Sequence, residues 1–64
     1  MNVSGNKLSG TVLIGPESAR ESRWLKRHVS AEPWQWLGEG VVVDARMAGA
    51  ILEAAQKVGF KVGG

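Results

Sequence analysis

Gly38-Glu39-Gly40-Val41-Val42-Val43-Asp44-Ala45-Arg46-Met47 holds a turn, a strand and the start of a helix in ten residues. Three consecutive valines suit a pleated, half-buried backbone and resist a helix through their stiff side chains. The glycines at 38 and 40 make a turn before them. Asp44 follows as a helix N-cap, its carboxylate placed to accept the free N–H groups of the next turn. The helix it opens runs to about Val58, and Gly59 supplies the left-handed residue that ends it. Phe60-Lys61-Val62 reads as a short last strand, and Gly63-Gly64 as a frayed end.

Upstream, Trp34-Gln35-Trp36-Leu37 reads as extended chain that points both indoles to one face. Before it, Ser30-Ala31-Glu32-Pro33 interrupts a helix that opens at Gly15-Pro16-Glu17 and runs to about Val29. Its charge order suits the helix dipole, with Glu17 and Glu21 early and Lys26, Arg27 and His28 late. Leu8 to Ile14 reads as a strand stopped by Gly15-Pro16, and residues 1–6 as a frayed polar end. The expected fold is therefore a single α+β domain over residues 1–64. Its order is strand, helix, strand, helix, strand, giving a three-stranded sheet with two helices.

Sixty-four residues hold one small core. A chain of this size buries only about 60% of the surface that its unfolded form exposes. There is no cysteine, and the one histidine, His28, makes no metal site alone. No metal or cofactor is expected. In the second helix Met47, Ile51, Ala54 and Val58 line one stripe, and Ala48, Leu52 and Ala55 widen it. Two explanations stand open: a central helix covered on several sides, or an alanine-rich flank (Ala48, Leu52, Ala55) that packs on a protein partner or on a second copy in a homodimer.

Arg20, Arg23 and Arg27 fall at i, i+3 and i+7, so their guanidinium groups project from one side of the first helix. Trp24 lies at the edge of that stripe and Lys26 outside it. Such a face can straddle phosphates. It is equally what a solvated helix face looks like, with Glu17 pairing to Arg20. Three tryptophans (Trp24, Trp34 and Trp36) and no tyrosine are a heavy loading for the length. They read either as core filling or, for Trp34 and Trp36, as an exposed patch for a protein partner.

Catalysis has little to draw on: no nucleophile–base spacing, no paired carboxylates and no phosphate-cradling glycine loop, so no catalytic residue is assigned and no enzyme is expected. No apolar run reaches the ~20 residues of a membrane span, and the N-terminus lacks a signal-peptide pattern. A cytoplasmic protein is expected. The net charge is +2, so any affinity for a polyanion has to come from where the cations sit rather than from their number.

Arg23-Trp24-Leu25-Lys26-Arg27, then Pro33, then Gly38-Glu39-Gly40 and Val41-Val42-Val43, resembles the second half of the excisionase winged-helix domains. The resemblance implies a first helix in the major groove, a wing at Gly38–Gly40 and a DNA-bending accessory that recruits an integrase. It also implies groove and phosphate contacts at Arg20, Arg23, Lys26 and Arg27. The chain departs from that pattern in two places: a strand stands where the family has a preceding helix, and Glu39 stands at the wing tip.

Overall fold

The computed structural model describes residues 1–6 and 10–63. The chain is α+β, with two helices and a four-stranded antiparallel sheet. The strands are β1 (Asn2–Asn6), β2 (Thr11–Gly15), β3 (Trp36–Leu37) and β4 (Gly40–Asp44), in the spatial order β1-β2-β4-β3. The helices are α1 (Ala19–His28) and α2 (Ala45–Lys57), and a short 3-10 turn spans Pro33–Gln35.

The three valines lie in β4 as expected. Val41 and Val43 face Ile14 and Val12 of β2 directly, and this alternation puts all four on one side of the sheet. There they meet Leu25 and Val29 of α1 and Ala48 and Ala55 of α2. The core thus lies between two helices and one face of the sheet, and Met1 is buried with it.

Five expectations need correction. Residues 2–6 form a strand paired with β2, from Asn2↔Gly15 to Asn6↔Thr11, rather than a frayed end. The strand expected over Leu8–Ile14 is seen from Thr11 to Gly15, and Leu8 and Ser9 lie outside the described residues. Phe60-Lys61-Val62 forms no strand. The tail instead makes one parallel bridge, Asn2↔Gly63, with the Val3 N–H donating to the Gly63 carbonyl at 2.8 Å and the Gly63 N–H to the Met1 carbonyl at 2.9 Å. So the sheet has four strands because both its edges were uncounted: the polar segment β1, which local propensity does not mark, and the two-residue β3.

The fourth correction concerns tryptophan. Pro33 starts a 3-10 turn, so Trp34 and Trp36 do not share a face. Trp34 stands 74% exposed, whereas Trp36 is half-buried against the core. Gln35 ties this turn to the sheet, its Nε2 donating to the Val42 carbonyl at 2.9 Å.

Helix α1 begins later than the proline signal implies. Ser18 is its N-cap, with Oγ accepting the Glu21 N–H at 3.2 Å, while the Glu21 carboxylate accepts the Glu17 N–H at 2.9 Å. Glu21 thus reaches back past the cap to the N–H of the residue before it, rather than to that of Ser18 itself. Helix α2 begins on Asp44 as expected, Oδ1 accepting the Arg46 N–H at 2.8 Å.

Candidate functional site: an arginine cleft beside Trp24

The sequence places Leu25 and Val29 on the core side of α1, and the structure buries both. That fixes the rotation of the helix, so Arg20, Arg23 and Arg27 emerge together on its exposed side. With Trp24 and Phe60 they line a single open cleft of about 240 Å³. The end of α2 supplies the far wall. Gly59 takes φ +98°, its N–H donates to the Gln56 carbonyl, and the Phe60 N–H donates to the Ala55 carbonyl, each at 3.0 Å. This pair of bonds turns the chain back and lays Phe60 beside α1.

The aromatic groups form a contiguous set. Trp24 stacks on His28 with centroids 4.6 Å apart and planes at 20°, and it meets Phe60 edge to face at 5.8 Å and 80°. His28 Nδ1 lies 3.0 Å from the Trp24 carbonyl, where the ring N–H can donate. The Arg20 guanidinium carbon stands 5.9 Å from the centre of the Phe60 ring, within cation–π range.

The acids at the start of α1 are turned elsewhere. Both Glu17 and Glu21 pair with the amino group of Met1, Glu21 at 3.0 Å, and that amine also donates to the Lys61 carbonyl at 2.7 Å. Glu17 is therefore not the partner of Arg20 that a plain solvated face would provide. Among the described residues none of the three arginines pairs with a carboxylate. Local neutralisation is absent where the cations converge.

Lys26 does not join them. It sits 3.7 Å from Glu39 in the β3–β4 turn, and Glu39 also accepts a hydrogen bond from the nearly buried Ser22 hydroxyl. The Ser22 hydroxyl first, and then the Lys26 charge, hold the Glu39 carboxyl below its ordinary pKa. The turn that the resemblance makes a wing tip is thus pinned to α1 through an acid. No helix precedes α1 among the described residues, and the β1–β2 hairpin stands in its place.

The expected α2 surface is also redrawn. Ala48 and Ala55 are buried against the chain's own core and Leu52 is half-buried, so this flank is not open to a second copy. In the other stripe Met47 and Val58 are exposed, at 57% and 53%, while Ile51 is half-buried against the core. A second, apolar groove of about 220 Å³ lies on the far side of Trp24, lined by His28, Val29, Ala50, Ile51 and Ala54. Sequence reasoning found the arginines and Trp24 but missed Phe60. The available signal was Gly59, whose left-handed turn sends the next residue back along the helix.

Among the described residues no group of three or more His, Cys, Asp or Glu side chains is placed to hold a metal ion. No described helix is long and apolar enough to cross a membrane. No family model matches the chain, and comparison with curated proteins and with solved structures finds no match.

Proposed function

We propose that the chain is a non-catalytic DNA-binding accessory protein that contacts the phosphate backbone through Arg20, Arg23 and Arg27. One observation carries the reading: three arginines converge on one cleft with their neighbouring acids committed to the Met1 amine. Guanidinium groups without a carboxylate partner that share one helix face complement the charge of a phosphate backbone, and arginine is suited to bidentate contact with phosphate. Lys26 is left out of the contact set because it is held by Glu39. The basic helix, the turn and the β4 strand keep part of the excisionase pattern. The hairpin before α1 favours contact by a single helix over a helix-turn-helix.

The test is titration of a short fluorescently labelled duplex at several salt concentrations. Saturable binding that weakens steeply with salt is expected, because each neutralised phosphate releases counterions. Arg23→Ala with Arg27→Ala should lower the log–log salt slope by about 1.8, at roughly 0.9 per contact, and leave the circular dichroism unchanged. No binding at low salt by the wild-type chain would overturn the reading.

A second reading rests on the Pro33–Gln35 turn and β3. Trp34 and Leu37 are 74% and 59% exposed, and indoles are common at the centres of protein interfaces. A protein partner bound through them should be lost with Trp34→Ala and kept with the double arginine variant. Trp36→Ala is the poorer probe, since Trp36 packs on the core.

A further inference from the structure

We propose that Phe60 is a positioning residue of the arginine cleft, holding Arg20 in line with Arg23 and Arg27 without cancelling its charge. The inference rests on the DNA reading above and concerns how that same site is kept ready.

The geometry runs from the end of α2 into the cleft. Gly59 and the two carbonyl bonds at Gln56 and Ala55 fix where the chain leaves the helix. Phe60 is thereby set against Trp24 at 5.8 Å, and Trp24 is itself backed by His28 at 4.6 Å. The ring that results from this stack carries the Arg20 guanidinium at 5.9 Å. Arg20 has no carboxylate partner among the described residues, so the aromatic ring is what orients it.

A ring is well suited to this task. A carboxylate would hold the guanidinium but neutralise it, as Glu39 does for Lys26. The aromatic quadrupole attracts the cation and leaves its full charge, and its N–H groups, for a ligand. Arginine is rich in rotamers, and freezing it on binding costs affinity. A guanidinium already held in place loses less.

The experiment combines a double-mutant cycle with a measurement on the free protein. In the salt-dependent duplex titration Phe60→Leu should weaken binding about two- to fivefold, the exposed cation–π range expressed as affinity. Its salt slope should stay that of the wild type, since no cation is lost. Phe60→Tyr, which keeps the ring, should bind within about twofold of the wild type. Arg20→Ala should reduce the slope by about 0.9, and Phe60→Leu should then add nothing on that background.

In the free protein the Arg20 side-chain protons should show an upfield ring-current shift by NMR that Phe60→Leu abolishes and Phe60→Tyr retains. Absence of that shift overturns the positioning role whatever DNA does. So does equal weakening by Phe60→Leu with and without Arg20, which marks a merely structural effect, or failure of Phe60→Tyr to bind. Where Phe60→Leu disturbs the circular dichroism, Phe60→Met replaces it in the cycle. Absence of duplex binding by the wild type while the shift is present sinks the DNA reading and leaves the Arg20–Phe60 contact standing.

Discussion

Gly40 sits where a β-carbon would be crowded. A Cβ built there would lie 3.1 Å from the Ile14 carbonyl oxygen and 3.2 Å from Leu13 Cδ1. The leucine end can rotate away, but the carbonyl belongs to the central strand β2, paired on both sides, and resists the few tenths of an ångström it would have to give. Gly40→Ala should therefore destabilise by about 1–3 kcal/mol, the usual cost of overpacking. Urea unfolding checks this: the midpoint should fall while the slope m stays constant. An unchanged midpoint would mean that the β3–β4 turn shifts freely, which would also loosen Glu39 from Ser22 and Lys26.

Among the elements, α1 depends most on its first turn. Ser18 satisfies the Glu21 N–H, and Glu21 answers at Glu17, so Ser18→Ala should cost about 0.5–2 kcal/mol and fray the helix just below Arg20. Hydrogen exchange at the Glu21 and Ser22 amides measures it, and undiminished protection there would contradict the capping role. The sequence reading opened this helix at Gly15-Pro16-Glu17 and passed over Ser18, the cap that sets its true start. The rotation of α1, and with it the arginine stripe, was legible, because Leu25 and Val29 leave one solution for its buried side. Helix α2 was not. Its apolar arc is so wide that periodicity cannot say which part meets the sheet. Packing chose Ala48 and Ala55, whose small side chains let the helix approach the sheet, and it left Met47 and Val58 outside. Strand β1 was hidden for a different reason. Asn2-Val3-Ser4-Gly5-Asn6 has weak strand propensity, and its pairing is fixed by β2 and by the Gly63 bridge, far away in sequence. Phe60 is turned back locally by Gly59, but that α1 waits there with Trp24 and Arg20 is set by the tertiary packing.

At the scale of the whole molecule, the Met1 amine joins three parts of the chain: the start of β1, the first turn of α1 through Glu17 and Glu21, and the tail through the Lys61 carbonyl. Burial alone would lower the pKa of that amine. The hydrogen bonds and charges of the two glutamates outweigh it and leave the amine above its ordinary 8.0. For Glu21, burial alone would raise the pKa. The Glu17 N–H and then the Met1 amine outweigh it and leave the carboxyl below its ordinary 4.5. The signs of the two linkages follow. A group whose pKa rises on folding stabilises fully below its unfolded value, so the amine's contribution is present below pH 8.0 and fades as pH climbs through the folded value. A group whose pKa falls on folding does the reverse, so Glu21 contributes above pH 4.5 and loses that contribution as pH drops through its folded value. Glu39 and Asp44, held low by the Ser22 hydroxyl and the Arg46 N–H respectively, add to the acid side alone. The urea midpoint should therefore be highest between these two limits and fall on both sides. Glu21→Gln should shrink both limbs, since it removes one titrating group and one partner of the other, whereas Glu39→Gln should shrink only the acid limb. An alkaline limb of full size in Glu21→Gln would show that Glu17 alone holds the amine. The amine would then be tied to α1 only through Glu17, which precedes the Ser18 cap, and not through a side chain of the helix itself.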